Sequence, residues 1–214
     1  MAVQNRKKGR RKPLFYALSQ FVAWFLFILL ARFRRFGARN IPKRGGCIIA
    51  CSHQSYLDPV IIGFSCGRAV NYLARSTLFR NPLFAAIIRG YGAIELDRDE
   101  ADTKAMRYCI KRLELGEIVL LFPEGTRTST GEIGPLKPGV FLMSARAGVP
   151  VVPAAIEGSL KSWPRNRMFP LPAPVQVAYG KPVYAGRSAR SYREMARELR
   201  VRMQELQSKI KRVC

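Results

Sequence analysis

A single histidine occurs in this chain of 214 residues, in the run His53-Gln54-Ser55-Tyr56-Leu57-Asp58. Histidine is the side chain whose ordinary pKa, about 6.5, lets it take and return a proton near neutral pH. A carboxylate five residues on is a candidate partner. Hydrogen-bonded to one ring nitrogen, it fixes the tautomer and stabilises the imidazolium formed when the other nitrogen accepts a proton. On a continuous helix, residues i and i+5 point about 140° apart, because helical neighbours meet at i+3 and i+4. The pair therefore meets only if residues 54–57 turn. Pro59 favours such a turn, since it disfavours the α conformation at Asp58. By itself, H-x4-D is also what a satisfied polar histidine looks like.

A second run, Phe122-Pro123-Glu124-Gly125-Thr126-Arg127, follows a continuous apolar stretch that has the character of an interior strand. It places a glycine, a hydroxyl and a guanidinium at a strand's carboxyl end, where α/β sheets bind ligands. Gly125 lets the backbone approach a ligand, and Arg127 offers a planar fork that matches phosphate oxygens. Glu124 is suited to holding Arg127 or to bonding a substrate hydroxyl. A surface turn with an ordinary salt bridge is the competing account. Arg98, ending the run Gly92 to Arg98, supplies a second anion contact, and Val149 to Pro153 reads as core strand.

The elements that must position these residues alternate. Strands are predicted at 47–51, 71–74, 91–96, 118–122, 151–156 and 175–179. Asp58-Pro59 reads as an N-cap with proline at the first helical position of a helix to about Phe64. Further helices are expected at 77–89, 101–115 and 138–147. Beyond these a terminal helix is opened by the capping box Ser191-x-x-Glu194, with Met195, Leu199, Met203, Leu206 and Ile210 on one stripe. Residues 157–174, rich in proline and arginine, read as irregular loop. This order predicts an α/β fold, a mostly parallel or mixed sheet covered by helices.

Thirty-seven Lys and Arg against fourteen Asp and Glu give a net charge of +23. Such a balance implies a polyanionic partner, nucleic acid or an anionic membrane surface, or an acidic substrate. No Asp or Glu precedes Asp58, and residues 1–45 hold twelve of the basic residues. Residues 14–31 form an apolar run of eighteen with basic flanks. A signal peptide would need a small-residue cleavage site, but Ala31 is followed by Arg32-Phe33-Arg34-Arg35. A full span needs about 20 apolar residues, and this run contains Ser19 and Gln20. The pattern predicts a helix that enters one leaflet and leaves the rest of the chain on one side, with a buried core helix as the competing account. The expected organisation is a membrane-anchoring segment over 1–40, making an N-terminal membrane-associated helical segment part of the fold, and one α/β domain over 41–214. Five cysteines without a C-x-x-C pair, beside one histidine, point to reduced thiols rather than a structural zinc site.

Taken together and in this order, the runs at 52–58, 92–98, 122–127 and 149–153 resemble the signature of the glycerolipid acyltransferases, the 1-acylglycerol-3-phosphate O-acyltransferases (lysophosphatidic acid acyltransferases). The resemblance covers about half the chain, Ser52 to Pro153. It departs from the family pattern at Ser52, where members usually carry asparagine, and at Glu95, where they carry an aromatic or aliphatic residue. The resemblance implies His53 as general base and Asp58 as its orienting carboxylate. It implies Glu124, Gly125, Thr126 and Arg127 as acceptor-binding residues, with Arg98 from the second block. The implied reaction moves an acyl chain from a coenzyme A or acyl carrier protein thioester to the sn-2 hydroxyl of lysophosphatidic acid, giving phosphatidic acid, with no cofactor and no metal. Glycerol 3-phosphate or another lysolipid is the alternative acceptor. The implied setting is an anionic lipid membrane with the catalytic domain on the cytoplasmic side, the inner membrane if bacterial.

Three other patterns were weighed. Gly63-Phe64-Ser65-Cys66-Gly67 matches G-x-S-x-G, but a nucleophile elbow needs a strand before it and a helix after it, and the predicted order here is the reverse. Cys51, two residues before His53, is a candidate thiol nucleophile but reads as buried filler. A basic nucleic-acid-binding protein fits the charge alone, and the chain carries no nucleic-acid motif.

Overall fold

Parallel strands buried on both faces must be apolar throughout, and Cys47–Cys51 and Ile118–Leu121 are the clearest such runs. The computed structural model describes residues 32–75, 92–96, 101–164, 171–185 and 191–212, together with Phe79, Ala85 and Arg167. In chain order its elements are β1 (Arg34–Phe36), β2 (Cys47–Cys51), α1 (Asp58–Ser65), β3 (Val70–Arg75), β4 (Ala93–Leu96) and α2 (Ala101–Glu114). There follow β5 (Ile118–Leu121), α3 (Gly139–Ala147), β6 (Val151–Glu157), α4 (Ser159–Ser162), β7 (Gln176–Tyr179) and α5 (Tyr192–Lys211).

These residues form a seven-stranded sheet in the order β1-β7-β6-β2-β5-β3-β4. The block β6-β2-β5-β3-β4 is parallel throughout. β7 runs antiparallel to β6, and β1 lies parallel to β7. The sheet is therefore mixed, as the alternation of elements predicts.

Alternate side chains of β2 enter different cores. Cys47, Ile49 and Cys51 pack with Ile61 and Ile62 of α1. Ile48 and Ala50 pack on the other face with Cys109 and Leu113 of α2, Phe141 of α3, and Leu199 and Met203 of α5. The capping box of α5 forms as its sequence requires: the Glu194 N–H donates to Ser191 Oγ at 3.3 Å, and the Ser191 N–H donates to Glu194 Oε2 at 2.9 Å.

Chain connectivity places a crevice at the carboxyl ends of β2 and β5. These strands are neighbours, yet β2 continues through α1 to β3 on one side while β5 continues through α3 to β6 on the other. Adjacent strands whose connections part in this way leave an open seam, which is where ligands bind in open α/β sheets. Both H-x4-D and P-E-G-T-R lie at that seam.

The structure changes several expectations. The N-terminal membrane-associated helix does not stand as part of the fold: among the described residues no helix is long and apolar enough to cross a membrane. Residues 34–36, just past the apolar run, are sheet. The longest of the described helices, α5, has 20 residues but carries Arg, Glu and Lys along its length, too many charges for a bilayer interior. Residues 14–31 themselves lie outside the described residues, as does the helix expected at 77–89 apart from Phe79 and Ala85. Asp58 is the first residue of α1 rather than its cap, and Leu57 precedes it with no side-chain cap. The supposed loop 157–174 contains the short helix α4.

Candidate active site

After Cys51 the chain leaves the sheet and turns over residues 52–57 before α1 begins. Ser52 bridges to β6, its hydroxyl accepting the Ile156 N–H at 3.0 Å. The turn then closes on Asp58. One carboxylate oxygen, Oδ2, accepts the backbone N–H groups of Gln54 at 2.6 Å and Ser55 at 2.7 Å, and also meets His53 Nδ1 at 2.8 Å. The other, Oδ1, accepts the Ser159 hydroxyl at 2.7 Å. Asp58 is fully buried, and such a network is the condition for holding a carboxylate away from water. The turn that the sequence demanded is thus organised by the carboxylate itself.

A carboxylate offers only acceptors, so the proton between the two groups sits on His53 Nδ1. Nε2 is left with its lone pair. The imidazole is 19% exposed and stacks on Phe122, ring centroids 3.8 Å apart and planes 15° apart. One face of the imidazole is therefore covered by the residue that opens the second run.

His53 is also gripped through its backbone. Its N–H donates to Glu124 Oε1 at 3.0 Å, and its carbonyl accepts the Thr128 N–H at 2.8 Å. The second oxygen of Glu124 accepts the Gly134 N–H at 3.0 Å. Glu124 thus joins the two runs and ties both to the loop that follows. That loop is held from below by α5: Arg200 Nε donates to the Ile133 carbonyl at 3.0 Å, and Gln207 Nε2 to the Gly131 carbonyl at 2.6 Å.

The rest of the corner is more open. Gly125 and Thr126 are exposed. Gly125 has φ of +74°, a left-handed conformation that side chains disfavour, and a Cβ there would lie 2.9 Å from Cε of Lys137. The Lys137 side chain therefore crosses directly over Gly125. The guanidinium carbon of Arg127 lies 3.6 Å from the ring centre of Tyr56, which is tilted against Trp163 at 5.6 Å. Tyr56 is 41% exposed, so the cation rests on an aromatic ring at the surface. Stacking of this kind orients a guanidinium without consuming its N–H donors.

The structure brings His53, Asp58, Glu124, Gly125, Thr126 and Arg127 to one seam, whereas Arg98 lies outside the described residues. It adds three residues to those expected from sequence. Phe122 stands immediately before the P-E-G-T-R run, and its position was the available signal. Lys137 and Ser159 carry no local pattern that marks them. Ser65 of the G-x-S-x-G match is buried between α1 and β7, its hydroxyl 2.5 Å from that of Tyr179. It is no exposed nucleophile. Burial pushes the Cys51 thiol well above its ordinary value, which disarms it as a nucleophile too. Among the described residues no group of His, Cys, Asp and Glu could hold a metal ion.

Known proteins resemble this chain in sequence and in fold. Residues 32–157 match the family model described as Acyltransferase. The chain is 34% identical over 124 residues to a 1-acyl-sn-glycerol-3-phosphate acyltransferase of Bacillus subtilis, covering 58% of this chain and 61% of that protein. It is 30% identical over 156 residues to a chloroplast enzyme of the same description from Brassica napus, covering 71% of this chain and 45% of that one. The chain thus spans about half the length of these relatives. The crystal structure of the 1-acyl-sn-glycerophosphate acyltransferase from Thermotoga maritima superposes with a TM-score of 0.74 at 26% identity, covering 90% of this chain and 79% of that one.

Proposed function

Because the chain belongs to the acyltransferase family, we propose that it transfers a fatty acyl chain from an acyl thioester to the free sn-2 hydroxyl of 1-acylglycerol-3-phosphate, giving phosphatidic acid. The observation that carries this is the contact between His53 Nδ1 and the buried carboxylate of Asp58, which leaves Nε2 as a proton acceptor. The names of the relatives supply the acceptor and product.

The chemistry then runs as follows. The acceptor hydroxyl gives its proton to His53 Nε2 while its oxygen forms a bond to the thioester carbonyl carbon. The tetrahedral species collapses, the C–S bond breaks, and the proton returns from Nε2 to the departing sulfur. Asp58 stabilises the transient imidazolium and holds the ring in register. General base catalysis of this kind contributes roughly 10² to 10⁴-fold. Phe122 prevents the ring from swinging, so the base is oriented before the acceptor arrives.

Acceptor binding falls to the exposed corner. Arg127, steadied by Tyr56, takes the phosphate; Gly125 lets the backbone approach it, and Thr126 offers a hydroxyl. Glu124 serves mainly to fix His53 and the loop at Gly134, since both its oxygens are engaged there. Arg98 is assigned a second phosphate contact from its place in the sequence pattern alone. The donor is a coenzyme A or acyl carrier protein thioester. The acceptor and product are bilayer lipids, so the reaction belongs at an anionic membrane surface, with the catalytic face on the cytoplasmic side. Free thiols at Cys47, Cys51, Cys66 and Cys109 suit that compartment.

The deciding experiment is a substrate panel with purified protein in detergent. Lysophosphatidic acid, its dephosphorylated form and glycerol 3-phosphate are each offered with either thioester, and the acylated product is identified. Transfer to lysophosphatidic acid and not to the dephosphorylated lipid is expected. Equal transfer to both would remove the phosphate from the account, and transfer only to glycerol 3-phosphate would reassign the acceptor.

A further inference from the structure

Asp58 meets the histidine through one oxygen, and its second oxygen has a partner far away in the chain. The hydroxyl of Ser159 lies 2.7 Å from Asp58 Oδ1, across 101 positions of sequence. Ser159 is fully buried and begins α4, immediately after β6. Its placement rests on Gly158, whose φ is +90° and where a Cβ would lie 1.9 Å from the Pro174 carbonyl oxygen. Any other residue at 158 would displace the start of α4. The backbone is shaped to deliver this hydroxyl to this carboxylate.

We propose that Ser159 is a positioning residue for the His53–Asp58 pair, its hydroxyl fixing the rotation of the carboxylate so that Oδ2 faces the imidazole. A terminal carboxylate torsion is intrinsically broad and roughly two-fold. Three donors converge on Oδ2, namely His53 Nδ1, Gln54 N and Ser55 N, and all come from the same short turn. Among the described residues Ser159 supplies the one hydrogen bond to Oδ1, and it comes from the neighbouring strand's exit. Two anchors on opposite oxygens define an orientation that one crowded oxygen does not.

The hydroxyl has a single proton to give. Gln54 Oε1 is 3.4 Å away, longer than the charged contact to Asp58, so the proton points to the carboxylate. Gln54 is held in turn by Gly131, its amide nitrogen 3.3 Å from that carbonyl. The spatial order is imidazole, carboxylate, hydroxyl. Because the carboxylate stands between them, Ser159 cannot pass a proton to His53 and is not a nucleophile of the serine-hydrolase kind. Its effect reaches the reaction only through Asp58.

The inference rests on the proposed transfer for its kinetic arm only. Ser159→Ala should lower kcat by about tenfold, a change of about 1.4 kcal/mol in the barrier, with the KM values of acceptor and donor unchanged. Ser159→Thr should restore most of the rate. The second arm needs no substrate. Since the chain has one histidine, the Nδ1-bound proton of His53 gives an unambiguous downfield resonance in the proton spectrum. It should move upfield and broaden in Ser159→Ala and return in Ser159→Thr. Thermal unfolding checks that each variant is folded, and Ser159→Cys, of similar volume but a weak donor, replaces alanine if that chain does not fold. A resonance unchanged in the alanine variant, or a kcat within twofold of wild type, overturns the proposal. A wild-type protein that acylates no lysolipid defeats the proposed function, while the spectrum still decides the role of Ser159.

Discussion

The two sides of His53 are built to opposite specifications. On the Asp58 side every group is buried, and four hydrogen bonds meet on one carboxylate. On the Arg127 side Gly125 and Thr126 are exposed, Lys137 lies across the glycine, and the guanidinium rests on a half-open tyrosine. The first arrangement fixes the orientation of an imidazole. The second is open enough for the phosphate-bearing headgroup proposed above. A base needs fixed geometry because its contribution is made in the transition state, whereas a binding corner must release what it holds.

That contrast can be broken most sharply at the base. His53→Ala is expected to cut kcat by about 10³-fold with the fold intact, and Asp58→Asn to follow with a smaller loss. Steady-state kinetics beside a circular dichroism spectrum measures both, and near-normal turnover in the histidine variant would end the assignment. On the open side the effect should appear in a different parameter. Arg127→Ala is expected to raise the acceptor KM by about tenfold or more, the size of a lost charge-assisted hydrogen bond, while the donor KM stays put. An effect confined to the thioester would place the arginine elsewhere.

Gly125→Ala tests how much slack the corner has. The left-handed backbone costs a side chain about 1–2 kcal/mol, so a lower melting temperature is expected. Part of that loss should be recovered by combining it with Lys137→Ala, since the added methyl group meets the lysine arm. Absence of any recovery would mean that the strain lies in the backbone alone.

The smallest effect concerns the thiols. Burial raises Cys47 to about 12 and Cys109 to about 11, and pushes Cys51 and Cys66 upward as well. The folded chain, with Cys214 replaced by serine, should react with iodoacetamide at pH 8 only after unfolding. Above about pH 9 the unfolded chain ionises its thiols while the folded chain keeps them protonated, so stability present below that pH is lost as pH rises toward 11 or 12. Melting curves between pH 8 and 11 would show the decline, and rapid labelling of the folded protein would contradict the burial.

Much of this architecture was legible because it is local. C-I-I-A-C and I-V-L-L read as interior strands from their short unbroken apolar runs, and the capping box of α5 stands in four consecutive residues. The site runs were legible for the same reason, each compressed into six or seven positions. What escaped notice depends on distance or on weak pattern. β1 is three exposed residues, Arg-Arg-Phe, whose pairing with β7 no periodicity announces. Ser159 and Asp58 lie 101 residues apart, and nothing near either one points to the other. Glu124 was expected to face Arg127 or a substrate hydroxyl, yet its oxygens reach backbone amides on two separate loops, contacts that depend on how the strands are ordered. The apolar run at 14–31 lies outside the described residues, and the described fold begins after it with the strand Arg34–Phe36.

The bracing of the 131–134 loop by α5 bears on how the protein comes into being at the ribosome. His53 and Asp58 emerge early, but the amide that steadies Glu124 sits on a loop tethered by side chains from residues 200 and 207. Closing contacts over such spans is slow, because the intervening chain must first be gathered in. A half-synthesised chain thus carries His53 without its final supports, and the arranged site dates from the docking of α5.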